Sequence, residues 1–249
     1  MLLILSKMTA FFARVYSIYA AFWFIVTSIF FLLPQLIMAQ RLSWHPLALR
    51  INYYWAWTWM TLLFMKVQID WEARISKRES YVLCANHFSF MDIPVNYLLG
   101  ISFKYIGKSS IAKAPVFGYM FRKIHVMVNR ESMRSRGESM RRAQEAMQQG
   151  FNMFFFPEGG ILAQEPPQMF PFRDGAFRLA CEFNNPVLPI VLHDNYKVFP
   201  DDGKYLLFHH PIRITVGNPI YPTGNTDDDV AELRQATHSW IQEKLNSHE

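Results

Sequence analysis

The strongest limit on the fold is a long segment without charged residues. No charge occurs from Val15 to Gln40, and the run from Tyr16 to Leu33 is almost continuously apolar and aromatic. About 20 such residues in a helix can span a hydrocarbon core of roughly 30 Å. Pro34 is expected to disturb or end that helix. A cleaved signal peptide is disfavoured, because the apolar run is longer than a usual signal core and no clear cleavage site follows it.

A second charge-free segment, from Ile51 to Met65, is rich in tryptophan and tyrosine. As a helix it would reach only about 22 Å at 1.5 Å per residue, which is short for a membrane span. Tryptophan and tyrosine favour the membrane interface. We therefore expect residues 1–66 to form a membrane-associated helical hairpin, which either spans the bilayer or enters one leaflet and returns. A buried hairpin without lipid contact is the alternative.

Composition and charge favour a membrane protein with an anionic ligand. The hydrophobic content of 51% and the aromatic content of 16% are high for a soluble protein of 249 residues. The net charge of +5 is uneven, because Lys104 to Arg142 holds ten basic residues and two acidic ones. Such a segment suits lipid headgroups or a phosphorylated substrate. Nucleic acid is not expected as a partner, because no recognition module for it occurs in the sequence.

Neither the cysteines nor the histidines form a recognisable structural or metal motif. Cys84 and Cys181 cannot build a disulfide framework and are expected to pack as small apolar side chains. The pair His209-His210 is interpreted as a strand end and not as a zinc site. We expect no metal.

After Lys66 the chain alternates between strand-like and helix-like segments. Strands are expected at Val67–Trp71, Tyr81–Cys84, Phe103–Ile106, Ile124–Val128, Phe151–Phe156, Val187–Leu192 and Ile212–Val216. Helices are expected at Asp92–Leu99, at Glu131–Gln149, from Arg173 onward, and after a cap at Thr226. This order predicts an α/β domain at residues 67–249, with a single mixed, largely buried sheet flanked by helices.

Polar residues with catalytic potential follow three of these strands. His87 comes directly after the second strand, and Asp92 lies five residues later. A histidine can take a proton from a hydroxyl if a carboxylate holds its ring and stabilises the charged form. No serine or cysteine nucleophile accompanies the pair, so the hydroxyl would belong to the substrate. Arg130 and Glu158 follow two further strands, whose ends can meet at one sheet edge. By itself, a histidine and an aspartate at this spacing are more often unrelated.

The motifs resemble the four blocks of the glycerolipid acyltransferase family, in particular the lysophosphatidate acyltransferases. His87 and Asp92 match the first block, and Phe156 to Gly159 match the third. Val126 to Arg130 resembles the second block and Val187 to Ile190 the fourth. Lys108 and the run Phe172-Arg173-Asp174-Gly175-Ala176 match two further family positions. The resemblance covers roughly Val67 to Val216.

This resemblance implies transfer of a fatty acyl chain to the sn-2 hydroxyl of lysophosphatidate, giving phosphatidate. The donor would be a thioester of acyl carrier protein or coenzyme A, and no other cofactor is implied. His87 would be the general base, oriented by Asp92. The residues implied in substrate binding are Asn86, Lys108, Arg130, Glu158, Gly159 and Arg173. We expect the protein at the cell inner membrane, with its site on the cytoplasmic side.

One departure from the family pattern bears on the acceptor. The third block usually continues with Thr-Arg, but this chain has Gly160-Ile161. Arginine offers a planar, two-pronged set of donors for a phosphate, which neither glycine nor isoleucine replaces. Asp174 also stands where a second basic residue is common. A lyso-aminolipid acceptor, such as an ornithine or glycine lipid, is therefore an alternative. A catalytically silent lipid-binding protein is another, and the intact His87 and Asp92 argue against it.

Overall fold

Two long N-terminal helices form a hairpin in the computed structural model, which describes residues 2–76, 78–108, 117–129 and 132–247. Helix α1 spans Leu2–Met38 and helix α2 spans His45–Leu62, with a 3₁₀ turn at Leu42–Trp44 between them. Helix α1 continues beyond Pro34 to Met38. Of the two expected effects of Pro34, disturbing the helix or ending it, the second does not occur, because the backbone hydrogen bonds continue past it, with Ala39 N donating to Gln35 O at 2.8 Å.

The rest of the chain is built on one seven-stranded sheet with the order β1-β7-β6-β2-β5-β3-β4. The strands are β1 Val67–Trp71, β2 Val82–Ala85, β3 Phe103–Lys108, β4 Val126–Val128, β5 Asn152–Phe155, β6 Val187–Leu192 and β7 Ile212–Val216. Neighbouring strands are parallel except β6 and β7, which are antiparallel. The expected single mixed sheet is confirmed.

Helices cover both faces of this sheet, and apolar clusters lie on either side of it. They are α3 Asp92–Asn96 with a following 3₁₀ turn Tyr97–Leu99, α4 Phe117–Ile124, α5 Met133–Gln148, α6 Gly175–Glu182, α7 Asn195–Val198 and α8 Asp227–Asn246. Every residue of β6 is buried, as expected for a central strand covered on both faces.

Local signals in the sequence account for some of the element boundaries. Thr226 caps α8 in a reciprocal capping box with Asp229. One expected strand was placed too early, because Ile124 belongs to α4 and the strand begins at Val126. The reason is a helical hydrogen bond of 2.8 Å from His125 N to Phe121 O, which extends the turn beyond the point where the apolar pattern predicts a strand.

The hairpin lies along the α/β part of the chain and contacts it at both ends. At the turn between the two helices, Lys104 Nζ lies 3.3 Å from His45 Nδ1, and both side chains are buried. Burial lowers the pKa of Lys104 to about 8. At the open end, Leu207 N donates to Ser17 Oγ at 2.7 Å. The hairpin therefore does not project away from the sheet.

Candidate active site

The carboxyl ends of the parallel strands bring His87 and Asp92 together at one edge of the sheet. His87 follows β2, and Asp92 begins α3. Their side chains meet through a 2.8 Å contact between His87 Nδ1 and Asp92 Oδ2. Asp92 has no solvent exposure, and the His87 side chain is 11% exposed. With Nδ1 held by the carboxylate, Nε2 is the nitrogen that can accept a proton.

Three further hydrogen bonds hold the Asp92 carboxylate. The backbone N–H groups of Phe88 and Ser89 donate to Oδ2 at 2.9 and 3.0 Å. Asn195 Nδ2 donates to the other oxygen, Oδ1, at 2.8 Å. Asn195 is the first residue of α7, which begins three residues after the last residue of β6. These donors prevent the carboxylate from rotating away from His87.

The His87 imidazole is also held by an aromatic ring. The rings of His87 and Phe156 stack at a centroid distance of 3.9 Å and an interplanar angle of 14°. Phe156 follows β5, the neighbour of β2 in the sheet. The stack and the bond to Asp92 together restrict the imidazole to one orientation, which a general base requires.

Glu158 connects His87 to the loop that follows β5. Its Oε1 accepts a hydrogen bond of 2.7 Å from His87 N, and its Oε2 accepts one of 2.9 Å from Phe170 N. The side chain is fully buried. Burial raises the pKa of Glu158 to about 7, the two N–H donors oppose that rise, and the charge of Asp92 adds to it. Glu158 therefore fixes the backbone of the base and the position of the loop at the same time.

Gly159 and Arg173 are in close contact beside Glu158. Gly159 has a φ of +92°, and a Cβ at this position would lie 2.6 Å from Arg173 Nε. A side chain would therefore be strained and would also displace the guanidinium. Arg173 N donates to Pro157 O at 2.9 Å, which keeps the exposed arginine at the same edge as His87.

Asn86 has a structural contact in this fold. Its Nδ2 donates to Leu192 O at 3.0 Å, and its Oδ1 accepts from Leu192 N at 2.8 Å. The amide thereby continues the pairing of β2 with β6 beyond the last ladder residue. Asn86 as a substrate ligand stays a prediction. Arg130 and the side chain of Lys108 lie outside the described residues, so their expected contacts with substrate also stay predictions.

An apolar cavity of about 820 Å³ lies between the hairpin and the sheet. It is beside the loop that carries the pair His87 and Asp92, here called the dyad and the dyad loop. Its walls come from α1 and α2 on one side and from the dyad loop, α4 and the segment after α7 on the other. Phe90 and Met91, which stand between His87 and Asp92 in the chain, belong to its lining. The volume is in the range of about 300–1,000 Å³ that is usual for ligand sites. Within the described part of the chain, no group of three His, Cys, Asp or Glu side chains could hold a metal ion.

The family model named Acyltransferase matches residues 66–193, which is slightly more than half of the chain. The chain belongs to the acyltransferase family. Among curated relatives, a chloroplastic 1-acyl-sn-glycerol-3-phosphate acyltransferase of Brassica napus is 35% identical over 141 residues, covering 56% of this chain and 40% of the relative. The corresponding Arabidopsis thaliana protein is 29% identical over 185 residues, with 72% of this chain and 51% of the relative covered. This acyltransferase thus spans about half the length of these relatives.

A solved structure extends the likeness to nearly the whole fold. The crystal structure of the 1-acyl-sn-glycerophosphate acyltransferase PlsC from Thermotoga maritima superimposes with a TM-score of 0.75. The alignment covers 97% of this acyltransferase and 96% of that chain at 22% sequence identity. At this identity the likeness confirms the fold.

Two side chains of this site were not predicted in the roles that they have. Asn195 holds Asp92, and Phe156 stacks on His87. A signal for Asn195 was present, because it follows the buried strand Val187–Leu192 just as Asn86 follows Tyr81–Cys84. Polar residues directly beyond buried parallel strands gather at one edge. Phe156 was assigned to a motif, but sequence alone does not tell which ring a neighbouring strand presents to the histidine.

Proposed function

We propose that this acyltransferase moves a fatty acyl chain from acyl carrier protein or coenzyme A to the sn-2 hydroxyl of lysophosphatidate, giving phosphatidate. The observation that carries the proposal is the buried His87–Asp92 contact of 2.8 Å, which leaves Nε2 as the proton acceptor. Phe90 and Met91, between these two residues in the chain, line the apolar cavity. The acceptor class rests on the relatives, which are named as acylating 1-acyl-sn-glycerol-3-phosphate.

The reaction uses His87 twice. Nε2 takes the proton of the lysolipid hydroxyl as the oxygen attacks the thioester carbonyl carbon. The tetrahedral intermediate then collapses, the carbon–sulfur bond breaks, and the imidazolium returns the proton to the leaving thiolate. Asp92 stabilises the imidazolium between the two steps. Positioned proton transfer of this kind contributes about 10²–10⁴ in rate.

Binding of the acceptor is assigned to the basic residues at the sheet edge. Among these residues, Arg173 is the one whose side chain the structure describes. Its guanidinium lies against Gly159, the residue directly before Gly160-Ile161, which stand where the family pattern has Thr-Arg. Because Arg173 stands so close to the position where the family pattern has an arginine, we propose that it substitutes for that residue as a phosphate ligand. Lys108 and Arg130 are proposed as additional ligands. Asn86 and Gly159 are proposed to lie beside the bound acceptor.

The apolar cavity is proposed to hold the acyl chain during transfer. Its lining is formed by apolar and aromatic side chains of the hairpin and of the dyad loop. Burial of each methylene of a chain in such surroundings contributes about 0.8 kcal/mol. The hairpin is then part of the substrate site as well as a membrane anchor. The division at residues 66 and 67 into hairpin and catalytic domain stays a prediction.

Membrane association is proposed to occur through one face of the hairpin. Helix α1 is long and apolar enough over Ala10–Met38 to cross a membrane. However, the hairpin contacts the α/β part near both Ser17 and His45, so it cannot stand across a bilayer without carrying that part with it. We propose that it lies in one leaflet, at the cytoplasmic side of the inner membrane. The exposed apolar face of α1 consists of Phe11, Phe12, Val15, Ile18, Phe22, Ile25, Ile29, Phe30, Leu33 and Ile37.

The test is acyl transfer by the purified protein. A labelled acyl-acyl carrier protein is offered with lysophosphatidate, lysophosphatidylethanolamine, and mono-acylated ornithine and glycine lipids in turn. Label on lysophosphatidate that is lost in His87→Ala and kept in the matched control His210→Ala, at a half-buried position before β7, supports the proposal. Label on an aminolipid instead would mean that Gly160-Ile161 marks a changed acceptor. If no acceptor received label, and lysolipid binding were the same in the wild type and in His87→Ala, the protein would be a catalytically silent lipid-binding protein.

A further inference from the structure

Two exposed aromatic residues have an unusual backbone conformation. Phe64 and Tyr205 both have a φ of 54°, and their exposed fractions are 78% and 71%. The left-handed region is unfavourable for residues with a side chain, and aromatic rings gain little from contact with water. Strained backbone and exposed aromatic rings at the same two residues indicate that the rings contact a binding partner.

Both residues lie at the open end of the hairpin. Phe64 follows α2, and its carbonyl oxygen lies 2.9 Å from His209 Nε2. Tyr205 belongs to the loop 199–209, which is also fixed to α1 by the 2.7 Å bond from Leu207 N to Ser17 Oγ. Phe64 and the loop 199–209 are therefore held as one surface beside α1 near Ser17.

This surface continues the exposed apolar face of α1. Ser17 contacts the loop, and its neighbour Ile18 is 70% exposed on that face. Exposed apolar patches larger than single side chains mark interaction sites. Lys66, two residues after Phe64, is exposed. Lys204, next to Tyr205, is paired with Asp202 at 3.0 Å. Tyrosine is favoured at the membrane interface because its ring is apolar and its hydroxyl is polar.

The same loop also borders the apolar cavity. Tyr205 and Phe199 line the cavity together with Phe90 of the dyad loop. A surface that touches lipid at Tyr205 would therefore bring the bilayer to the rim of the cavity.

We propose that Phe64 and the loop 199–209, with Tyr205 at its tip, form a second lipid contact that inserts into the membrane interface beside α1. The partner is the surface of a lipid bilayer. This inference rests on the proposed association of the hairpin with one leaflet. It adds a specific orientation, in which the rim of the cavity faces the lipid from which the acceptor comes.

Spin labels on single introduced cysteines test this contact. The variants are Tyr205→Cys for the loop, Phe22→Cys for the exposed face of α1, and Tyr221→Cys as a matched control. Tyr221 is 58% exposed and lies next to Ile220, which pairs with the first residue of β6 at the opposite edge of the sheet. Cys84 and Cys181 are buried, and the unsubstituted protein reports any label that they take up.

Each label is measured with the protein bound to vesicles of phosphatidylcholine and phosphatidylglycerol. We expect labels at Tyr205 and Phe22 to lose collisions with a water-soluble nickel chelate and to gain collisions with oxygen, while the label at Tyr221 does not change. A label at Tyr205 that stays as accessible to nickel as that at Tyr221 overturns the inference. If the label at Phe22 is immersed in that case, hairpin anchoring stands; if it is not, anchoring fails as well.

A vesicle-partition assay gives an independent measure. Tyr205→Ser removes the ring, and we expect the partition coefficient on the same vesicles to fall about 5-fold, because binding scales with buried apolar area. Tyr221→Ser should leave it unchanged. Equal partition of the two variants would contradict the proposed contact, and far-ultraviolet circular dichroism shows whether each variant is folded.

Discussion

Asn195 Nδ2 donates a 2.8 Å hydrogen bond to Asp92 Oδ1, the carboxylate oxygen that does not face His87. The two residues are 103 positions apart in the chain and are both buried. The acid–base pair is therefore supported by a third side chain, which reaches it from the end of the central strand β6. This arrangement places Asn195 behind Asp92 as a positioning residue, because it touches neither the ring of His87 nor the substrate side of the site.

Replacement of Asn195 by alanine should lower kcat about 10-fold and leave KM for the lysolipid nearly unchanged. A hydrogen bond to a charged group contributes roughly 1.5–3 kcal/mol, and its loss here lets the carboxylate turn away from His87. Steady-state kinetics separates the two constants. Asn195→Asp should be worse than alanine, because it sets a second carboxylate against Asp92.

The matched control is Asn185→Ala. This change removes an amide that donates a 3.0 Å hydrogen bond to Ser80 O and has no contact with His87 or Asp92 among its hydrogen bonds. It should leave kcat unchanged. If Asn195→Ala raised KM and kept kcat, Asn195 would have to be reassigned as a binding residue.

Replacement of Asp92 by asparagine should reduce acyl transfer about 10³–10⁴-fold. The amide keeps the shape of the side chain but cannot stabilise the imidazolium, and it can present a donor to His87 Nδ1. Single-turnover transfer from a labelled thioester measures the chemical step directly. Binding of the lysolipid should persist, since the change lies behind the base. A loss smaller than tenfold would show that His87 does not act through Asp92.

The stability of the protein should depend on pH through Glu158. Burial raises its pKa from 4.5 to about 7, so the favourable contribution of this group is complete below pH 4.5 and is lost as the pH rises through about 7. Glu158→Gln cannot titrate. The free energy of unfolding of the wild type relative to this variant should therefore fall by about 3 kcal/mol between these two pH values and stay level above them.

Denaturant unfolding at several pH values measures this difference. Glu232→Gln, at an exposed position of α8, controls for the loss of one negative charge. A difference between wild type and Glu158→Gln that does not change with pH would mean that Glu158 is not desolvated.

Replacement of Ala21 by phenylalanine should shift the donor preference toward shorter acyl chains. Ala21 lines the apolar cavity from α1, and a ring there removes part of the space between the hairpin and the sheet. We expect kcat/KM for a long-chain donor to fall at least about 10-fold relative to a short-chain donor. Ala10→Phe adds the same ring to the exposed side of the same helix and should not change the ratio. An equal loss for all chain lengths would indicate that the acyl chain is bound elsewhere.

Much of the secondary structure could be predicted because its signals are local. The strands Val187–Leu192 and Ile212–Val216 have the expected bounds, since continuous or alternating apolar residues reflect burial on two faces or one. The strand expected from Ile124 began too early, because a helical hydrogen bond from His125 N to Phe121 O keeps Ile124 in α4. The arginine-rich helix α5 begins at Met133, where the Ser132 hydroxyl accepts a hydrogen bond from Ser135 N.

The candidate site could be predicted only where its parts are close in sequence. His87 and Asp92 are five residues apart, so a strand end followed by a turn brings them together almost independently of the rest of the chain. Glu158 was expected at the site, but its bond to the backbone of His87 depends on the pairing of β2 with β5. Asn195 was missed because its contact depends on the pairing of β2 with β6.

The sequence by itself therefore determined the order of helices and strands, the apolar N-terminal segment and the pairing of a histidine with a nearby aspartate. Those features depend on side-chain periodicity and on short stretches of chain. Only the tertiary structure showed which strand ends meet and that Asn195 supports Asp92. It also showed that the hairpin lies along the sheet and forms one wall of a cavity. The physical reason is that these contacts join residues far apart in the chain, and they arise from how buried surfaces pack and strands pair.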